Sequence, residues 1–353
     1  MALRILLTHA EGWPTTSTGL RSVYELAGAL QRAGQTVSVL TSGPAASHTK
    51  VGDVEVQCLP ARGRRIPFGA QALGHIAHAR ADVWHAMGTE DAAAAGALGV
   101  ARRHLCTVFT DPTLCDRPSR IRAFIAKRID HYVCVSNTAG RSFEALYHRT
   151  PVVLPPGIDV RRFSPSTGRN RQPALLFAAD ATEPRNNLAL LLEAVAMLRW
   201  RQPEVELWIA GPGRSHAERL VAAAPPAAQE GTSILGDLDA EGLAEVYPRA
   251  WATVLPAGHE PFGLPLIESL ASGTPVVALN EAGPAEIVRP GVGRVCRAEA
   301  ADLATACEQA VELARSSEVA ADCRAAAWTW DWQTAIVPRL LRLYHHQLSS
   351  PAG

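Results

Sequence analysis

Glu260 and Glu268 flank the turn Phe262-Gly263-Leu264-Pro265, just after an apolar run and just before a helical one. Gly263 removes a side chain where a backbone must pass close to a ligand. The first N–H groups of the following helix have no partner inside the helix and favour negative charge in front of them. Carboxylates placed in such a loop and one turn into such a helix are acceptors for the hydroxyls of a hydroxyl-rich ligand. Two glutamates by themselves also describe an ordinary strand–turn–helix with surface carboxylates, so the surrounding chain has to separate the two readings.

The elements that must position these residues are legible as two successive strand–helix series. Leu3–Leu7 reads as a buried parallel strand, followed by a Thr- and Ser-rich loop from Thr15 to Gly19. Val23, Leu26, Ala27 and Leu30 recur at helical spacing up to Gly34, a C-cap candidate, and Val37–Leu40 is the next strand. Further strands are expected at Val83–His85, Thr107–Phe109, Tyr132–Val135 and Val152–Leu154. A polar stretch, FSPSTGRNRQP, precedes a second series with strands at Ala174–Phe177, Glu206–Ile209, Thr253–Leu255 and Val276–Ala278 and a helix over Leu188–Leu198. This pattern predicts two doubly wound α/β domains, 1–163 plus 334–353 and 174–333, joined by a linker at 164–173. Ligands of such sheets sit at the carboxyl ends of the strands.

Bulk properties narrow the class. The 353 residues suffice for two cores, and 47% hydrophobic with 19% charged residues describes a globular chain. Lys plus Arg and Asp plus Glu number 34 each, which argues against a general nucleic-acid binder. Seven cysteines lack metal-ligand spacing and read as buried reduced thiols, consistent with a cytoplasmic protein, and the Ala- and Arg-rich, Lys-poor composition suggests a GC-rich genome. The start, MALRILLTHAEG, is too short an apolar run for a secretory signal, and no stretch is long enough to span a bilayer. No metal site is expected, His345-His346 lacking partners.

The run EPFGLPLIESLASGTPVVA resembles the signature of the retaining family 4 glycosyltransferases, and matches in the same order extend over most of the chain. They include VYELAGALQRAGQTVSVLT, ADVWHAMG, VCVSNTAG, PPGIDVRRFSP, EPRNNLALLLEA, WIAGPG and AGPAEIV. The resemblance implies a GT-B fold: two Rossmann-like domains whose parallel sheets face an interdomain cleft, with the C-terminal helix crossing back to the first. It implies transfer of a sugar from a nucleoside-diphosphate sugar to a hydroxylated acceptor without a cofactor or divalent metal. A small, specialised-metabolite acceptor is the first expectation, a membrane-surface lipid or envelope-glycan acceptor the second, and a binding or partner subunit without turnover the third. Oligomeric state is not legible.

By the same resemblance Glu260 would hold the transferred sugar, Glu268 the donor ribose, and the backbone of Phe262, Gly263 and Leu264 the sugar and diphosphate. Thr18, Gly19, Gly211 and Arg185 would complete the donor site, with His85 facing the acceptor as a polar contact or proton shuttle. Three positions depart from the family pattern. Ser17-Thr18 replaces a Gly-Gly pair in the first loop, and Thr110-Asp111 replaces a histidine near the donor sugar. Asp180 and Asn186 fall where an Arg and a Lys clamp the diphosphate, leaving Arg185 and Arg214 as substitute cations. Basic clusters at Arg62, Arg64 and Arg65 and at Arg120, Arg122, Lys127 and Arg128 read as solvated faces, membrane association being open but not favoured. In the second cluster Ile121, Phe124 and Ile125 form the expected core stripe. Trp328, Trp330 and Trp332 read as hinge and core packing.

Overall fold

The structure is a computed structural model that describes residues 2–12, 18–60, 65–88, 105–166 and 168–349. Ser17, Arg62 and Arg64 lie outside the described residues. The chain divides into two units, Met1–Gly157 with Asp331–Gly353, and Ile158–Trp330.

Unit 1 carries β1 (Arg4–Gly12), α1 (Thr18–Arg32), β2 (Thr36–Gly43), β3 (Ser47–Val51), β4 (Val54–Pro60), α2 (Arg65–His78) and β5 (Val83–Met87). It continues with β6 (Cys106–Asp111), α3 (Arg120–Ala126), β7 (His131–Cys134), α4 (Asn137–Tyr147) and β8 (Val152–Val153). Its sheet has the order β3-β4-β2-β1-β5-β6-β7-β8, parallel except for the antiparallel edge strand β3. Val23, Leu26, Ala27 and Leu30 face the sheet, and Gly34 at φ 81° ends α1 while the Gln35 N–H closes onto Leu30 O.

Unit 2 runs through β9 (Ala174–Ala178), α5 (Leu188–Arg199), β10 (Glu206–Ala210), α6 (Arg214–Ala223), α7 (Pro226–Gln229), β11 (Thr232–Gly236) and α8 (Ala240–Val246). Then follow β12 (Ala252–Leu255), α9 (Leu264–Ala271), β13 (Val276–Leu279), α10 (Ala282–Ile287), β14 (Gly293–Cys296), α11 (Ala300–Leu313) and α12 (Val319–Ala327). Its sheet, β11-β10-β9-β12-β13-β14, is parallel throughout. All five residues of β9 and all four of β12 and of β13 are buried, the mark of strands covered on both faces. These are the strands whose carboxyl ends carry the glutamate loop and its neighbours.

The unit boundary falls earlier than the 164–173 stretch suggested. The Ile158 N–H already bonds Trp330 O, and Phe163 is buried against Tyr247 within unit 2. Arg169 donates to Ala314 O and Gly273 O, and Asn170 bridges Arg249 O and the Trp251 indole. Those satisfied groups make 164–166 and 168–173 part of unit 2. Trp330 and Trp332 are buried, as their packing role required.

The chain returns to unit 1 through a π turn at Trp332–Ile336 and α13 (Val337–Ser349). Ile336, Val337, Leu340 and Tyr344 pack into the unit 1 core with Leu3, Ile5, Val23 and Val108. The Tyr344 hydroxyl lies 2.7 Å from His85 Nδ1, and His85 Nε2 lies 2.7 Å from Thr110 Oγ1. His85 is therefore a buried link between sheet and terminal helix.

One expectation is overturned in α3. Ile125 is buried, but Ile121 and Phe124 are 56% and 41% exposed. The helix is fixed instead by a polar anchor. Arg122 Nε lies 3.1 Å from the fully buried Asp111 carboxylate, which accepts from Tyr132 Oη at 2.5 Å and from Thr113 Oγ1 at 2.6 Å. All seven cysteines are unpaired and six of them are buried.

Burial lowers the His85 pKa to about 3, so the imidazole is neutral in the folded state, whereas an unfolded imidazole takes a proton below its ordinary value of 6.5. Stability should thus fall as pH drops from about 6.5 toward about 3, by at most about 1.4 kcal/mol per pH unit from this group. Tyr344→Phe, which strips a partner from a buried ring nitrogen, should cost about 1–3 kcal/mol in denaturant unfolding at pH 7. A loss below 0.5 kcal/mol, roughly the level of a neutral surface change, would contradict that assignment.

Candidate active site

Three loops at the carboxyl ends of neighbouring strands are tied together by backbone hydrogen bonds. The loop after β12 runs from Pro256 to Gly263. On one side Asn187, left-handed at φ 49°, donates its side-chain amide to Pro256 O, and the Gly258 N–H bonds Arg185 O at 2.9 Å. On the other side the Gly283 N–H bonds Glu260 O at 3.0 Å. A Cβ at Gly283 would lie 2.0 Å from Pro261 O, so only glycine permits this approach. Gly263 at φ 110° then turns the chain into α9, packed against Leu255, Leu266 and Pro284.

This arrangement places Glu260 on a fixed backbone, 3.6 Å from Arg185 Nη1. Burial raises the Glu260 pKa and the Glu183 carboxylate pushes the same way, against Arg185 and the Phe262 N–H, which lower it. Arg185 is half exposed and also 4.0 Å from Glu183, so its charge is shared between two carboxylates while one edge faces solvent. An added phosphate oxygen would compete for that guanidinium on favourable terms.

Glu268 is buried at 3% exposure inside α9 and accepts a 2.8 Å hydrogen bond from Tyr247 Oη. Tyr247 is itself fully buried, its carbonyl held by Thr274 Oγ1 and its ring edge-on to Phe163 at 5.9 Å. Sequence spacing did not single out Tyr247, since a lone tyrosine ahead of a strand carries no periodic signal. Asn187 and Gly283 stood within the quoted EPRNNLALLLEA and AGPAEIV runs, but neither was singled out.

The residues replacing the basic clamp serve the loop itself. Asp180 Oδ1 accepts from the Thr182 N–H and hydroxyl at 2.8 and 2.7 Å, and buried Asn186 donates to Asp180 O at 2.9 Å. Gly211, at φ 130°, lets the β10 turn approach to where a Cβ would meet Ala179 O at 2.4 Å. Its glycine is accounted for by this contact with the protein's own backbone. Arg214 turns to Ile234 O and Glu218, so Arg185 is the cation that stands beside Glu260.

In unit 1, Thr18 and Gly19 open α1. His85 does not suit proton transfer to an acceptor: it is 2% exposed and both ring nitrogens are engaged by Tyr344 and Thr110. Asp111, where a histidine was expected, is buried in the Arg122 anchor. Among the described residues no group of three His, Cys, Asp or Glu side chains is arranged to hold a metal.

Comparison with solved structures defines the class as GT-B. The chain superposes on sucrose-phosphate synthase of Thermosynechococcus elongatus with a TM-score of 0.82, covering 98% of each chain at 19% identity. It superposes on Anabaena HepE in complex with UDP and glucose with a TM-score of 0.77, covering 99% of this chain and 100% of that one at 17% identity. Residues 159–329 match the family model Glycosyl transferases group 1, and residues 20–162 match Glycosyltransferase Family 4. A phosphatidyl-myo-inositol mannosyltransferase of Mycolicibacterium smegmatis is 32% identical over 72% of this chain and 70% of its own. Its namesake in Mycobacterium tuberculosis is 29% identical over 94% of this chain and 93% of its own. The chain belongs to the family 4 glycosyltransferases.

Two outcomes test the site. Arg185→Gln removes the main influence holding the Glu260 pKa down, so a carboxylate NMR titration should place its midpoint at higher pH than in the parent protein; an equal or lower midpoint contradicts the pairing. Tyr247→Phe should destabilise the fold by about 1–3 kcal/mol, read by chemical denaturation, because it takes a donor from a buried carboxylate.

Proposed function

We propose that this glycosyltransferase moves a sugar from a nucleoside-diphosphate donor to a small hydroxylated acceptor with retention of configuration. The observation that carries the reading is Glu260 on its glycine-pinned loop beside Arg185. Glu260 accepts hydrogen bonds from hydroxyls of the transferred sugar. Arg185 leaves its carboxylate neighbours in part to oppose the diphosphate, whose negative charge grows as the glycosidic bond breaks. The sugar passes through an oxocarbenium-like state, so a carboxylate near the ring is favourable electrostatically as well as for positioning. Glu268, fixed by Tyr247, binds the ribose hydroxyls, and the Phe262–Leu264 backbone lies along the sugar and diphosphate. Gly211 borders the same donor site within unit 2, and no divalent metal is invoked because Arg185 supplies the positive charge.

Support for the donor class comes from HepE, whose solved complex holds UDP and glucose. For the acceptor, D-inositol 3-phosphate glycosyltransferase of Geodermatophilus obscurus is 31% identical over 57% of this chain and 50% of its own. Together with the phosphatidyl-myo-inositol mannosyltransferases, it makes a cyclitol polyol the first acceptor class to assay.

Calorimetry with nucleoside diphosphates and their sugars should show binding that Glu268→Ala weakens at least tenfold. Glu260→Gln should lower kcat by about 10²-fold with a smaller effect on donor affinity, and the product should keep the donor's anomeric configuration. No binding of any such nucleotide at millimolar concentration, in folded protein, overturns the proposal.

A further inference from the structure

Helix α5 buries one side and leaves the other bare. Leu191, Leu192, Val195 and Leu198 pack into the unit 2 core, while Ala189, Glu193, Met197 and Trp200 are exposed. Those four positions fall within about 80° of one another around the helix axis, so they form a single stripe. Trp200 keeps helical backbone at φ −63° and ψ −30°, which carries the stripe to the end of the helix. It is 85% exposed, the most exposed large apolar side chain among the described residues, and Met197 beside it is 41% exposed. Aromatic and methionine side chains are what protein interfaces enrich relative to the remaining surface.

The charges along this stripe are spaced so that the surface complements itself. Glu193 and Arg201 stand four residues before and four residues after Met197, and Glu193 has no cationic partner among the described residues. Arg201 is steered by Glu308 of α11, whose carboxylate lies 2.9 Å from its Nη2, and its side chain remains 45% exposed.

We propose that two copies of this chain associate through α5, with the two helices antiparallel about a two-fold axis at Met197. Residues equally far before and after Met197 then face each other across the contact, so Glu193 of each copy meets Arg201 of the other. The Met197 side chains meet at the axis, and each Trp200 covers Met197 and the Glu193 methylenes of the other copy. A tryptophan buries about 150–250 Å², a central share of the roughly 800 Å² that each partner gives to a stable interface. A lipid surface is a poor occupant, because Glu193 places negative charge in the middle of the stripe. A sugar chain could stack on Trp200 but would leave Met197 and the Glu193–Arg201 spacing unused. Asn187, bonded to the glutamate loop, stands at the other end of α5, about 20 Å along the helix from Trp200, so the contact leaves the candidate site of unit 2 uncovered. The inference stands apart from the donor and acceptor reading above.

Sedimentation equilibrium of the full chain tests it. Micromolar protein should give twice the 37.6 kDa of one chain and dissociate on dilution. Met197→Ser with Trp200→Ser should raise the dimer Kd by about tenfold or more, with the circular dichroism of the parent retained because both side chains are exposed. Glu193→Arg alone and Arg201→Glu alone should each weaken self-association about fivefold, since like charges then face each other. An equimolar mixture of these two variants should associate as tightly as the parent, because both contacts are again of opposite sign, and a misfolded variant would not give that rescue. Protein that stays monomeric up to about 100 μM, well above the range of a specific interface of standard size, overturns the proposal. A dimer untouched by the Met197/Trp200 double variant, or variants that fail to rescue each other, overturns it as well. So does a monomer that binds a soluble maltooligosaccharide and loses that binding with Trp200→Ser, which would assign the stripe to a sugar chain. Nucleotide calorimetry on the double variant should be unchanged, which keeps this test separate from that of the donor site.

Discussion

The site rests on the close backbone approach between the α10 start and the loop after β12. A single N–H, from Gly283, is bonded to the carbonyl of Glu260, and this contact exists only because position 283 has no side chain. On the far side, the Gly258 N–H and the Asn187 amide tie the same loop to the segment after β9. A loop bonded on both flanks loses little further freedom when a ligand arrives. That matters for catalysis, since a carboxylate stabilises a developing cation only if it is already in place when charge appears.

This constraint also explains how the altered clamp can be tolerated by the fold. Asp180 and Asn186 fall where the family resemblance would place cations, but their polar groups are used in closing the loop after β9 on itself. That loop in turn presents Arg185, with its carbonyl bonded to Gly258 and its guanidinium next to Glu260. Cation and carboxylate are thus carried by the two ends of one hydrogen-bonded junction. An ion pair 3.6 Å apart whose arginine is half exposed contributes little to stability, about 0–1 kcal/mol, so its placement fits the proposed ligand-directed role better than a structural one.

Strands β1, β2, β5 through β10, β12 and β13 were legible, most of them because buried parallel strands are continuous apolar runs. Strands β3, β4, β11 and β14 were not: Ser47–Val51 is an exposed polar edge, Val54–Pro60 alternates in burial, and Thr232–Gly236 and Gly293–Cys296 are only partly covered. The glutamate–FGLP segment was readable because residue identity at a turn is tightly restricted. Tyr247, Asn187 and the Arg122–Asp111 pair were not, since each acts through a partner far along the chain or on another element. His85 shows the opposite error. Its place at a strand end suggested chemistry, whereas the partner that defines it, Tyr344, is brought in by the last helix.

The two buried polar links of unit 1 have different physical consequences. His85–Tyr344–Thr110 is neutral and closes on itself, so it fastens the terminal helix without leaving charge at the surface. Asp111 and Arg122 carry charge, and one guanidinium spent inside lets α3 keep its remaining cations outside. Breaking a buried ion pair by removing one partner is costly, about 3–5 kcal/mol, so the orientation of α3 is strongly set. A helix anchored by hydrophobic burial alone would have turned Ile121 and Phe124 inward. Anchoring it through Arg122 frees those side chains, and it is this exchange of an apolar stripe for a charged tether that gives unit 1 its mixed apolar and basic face.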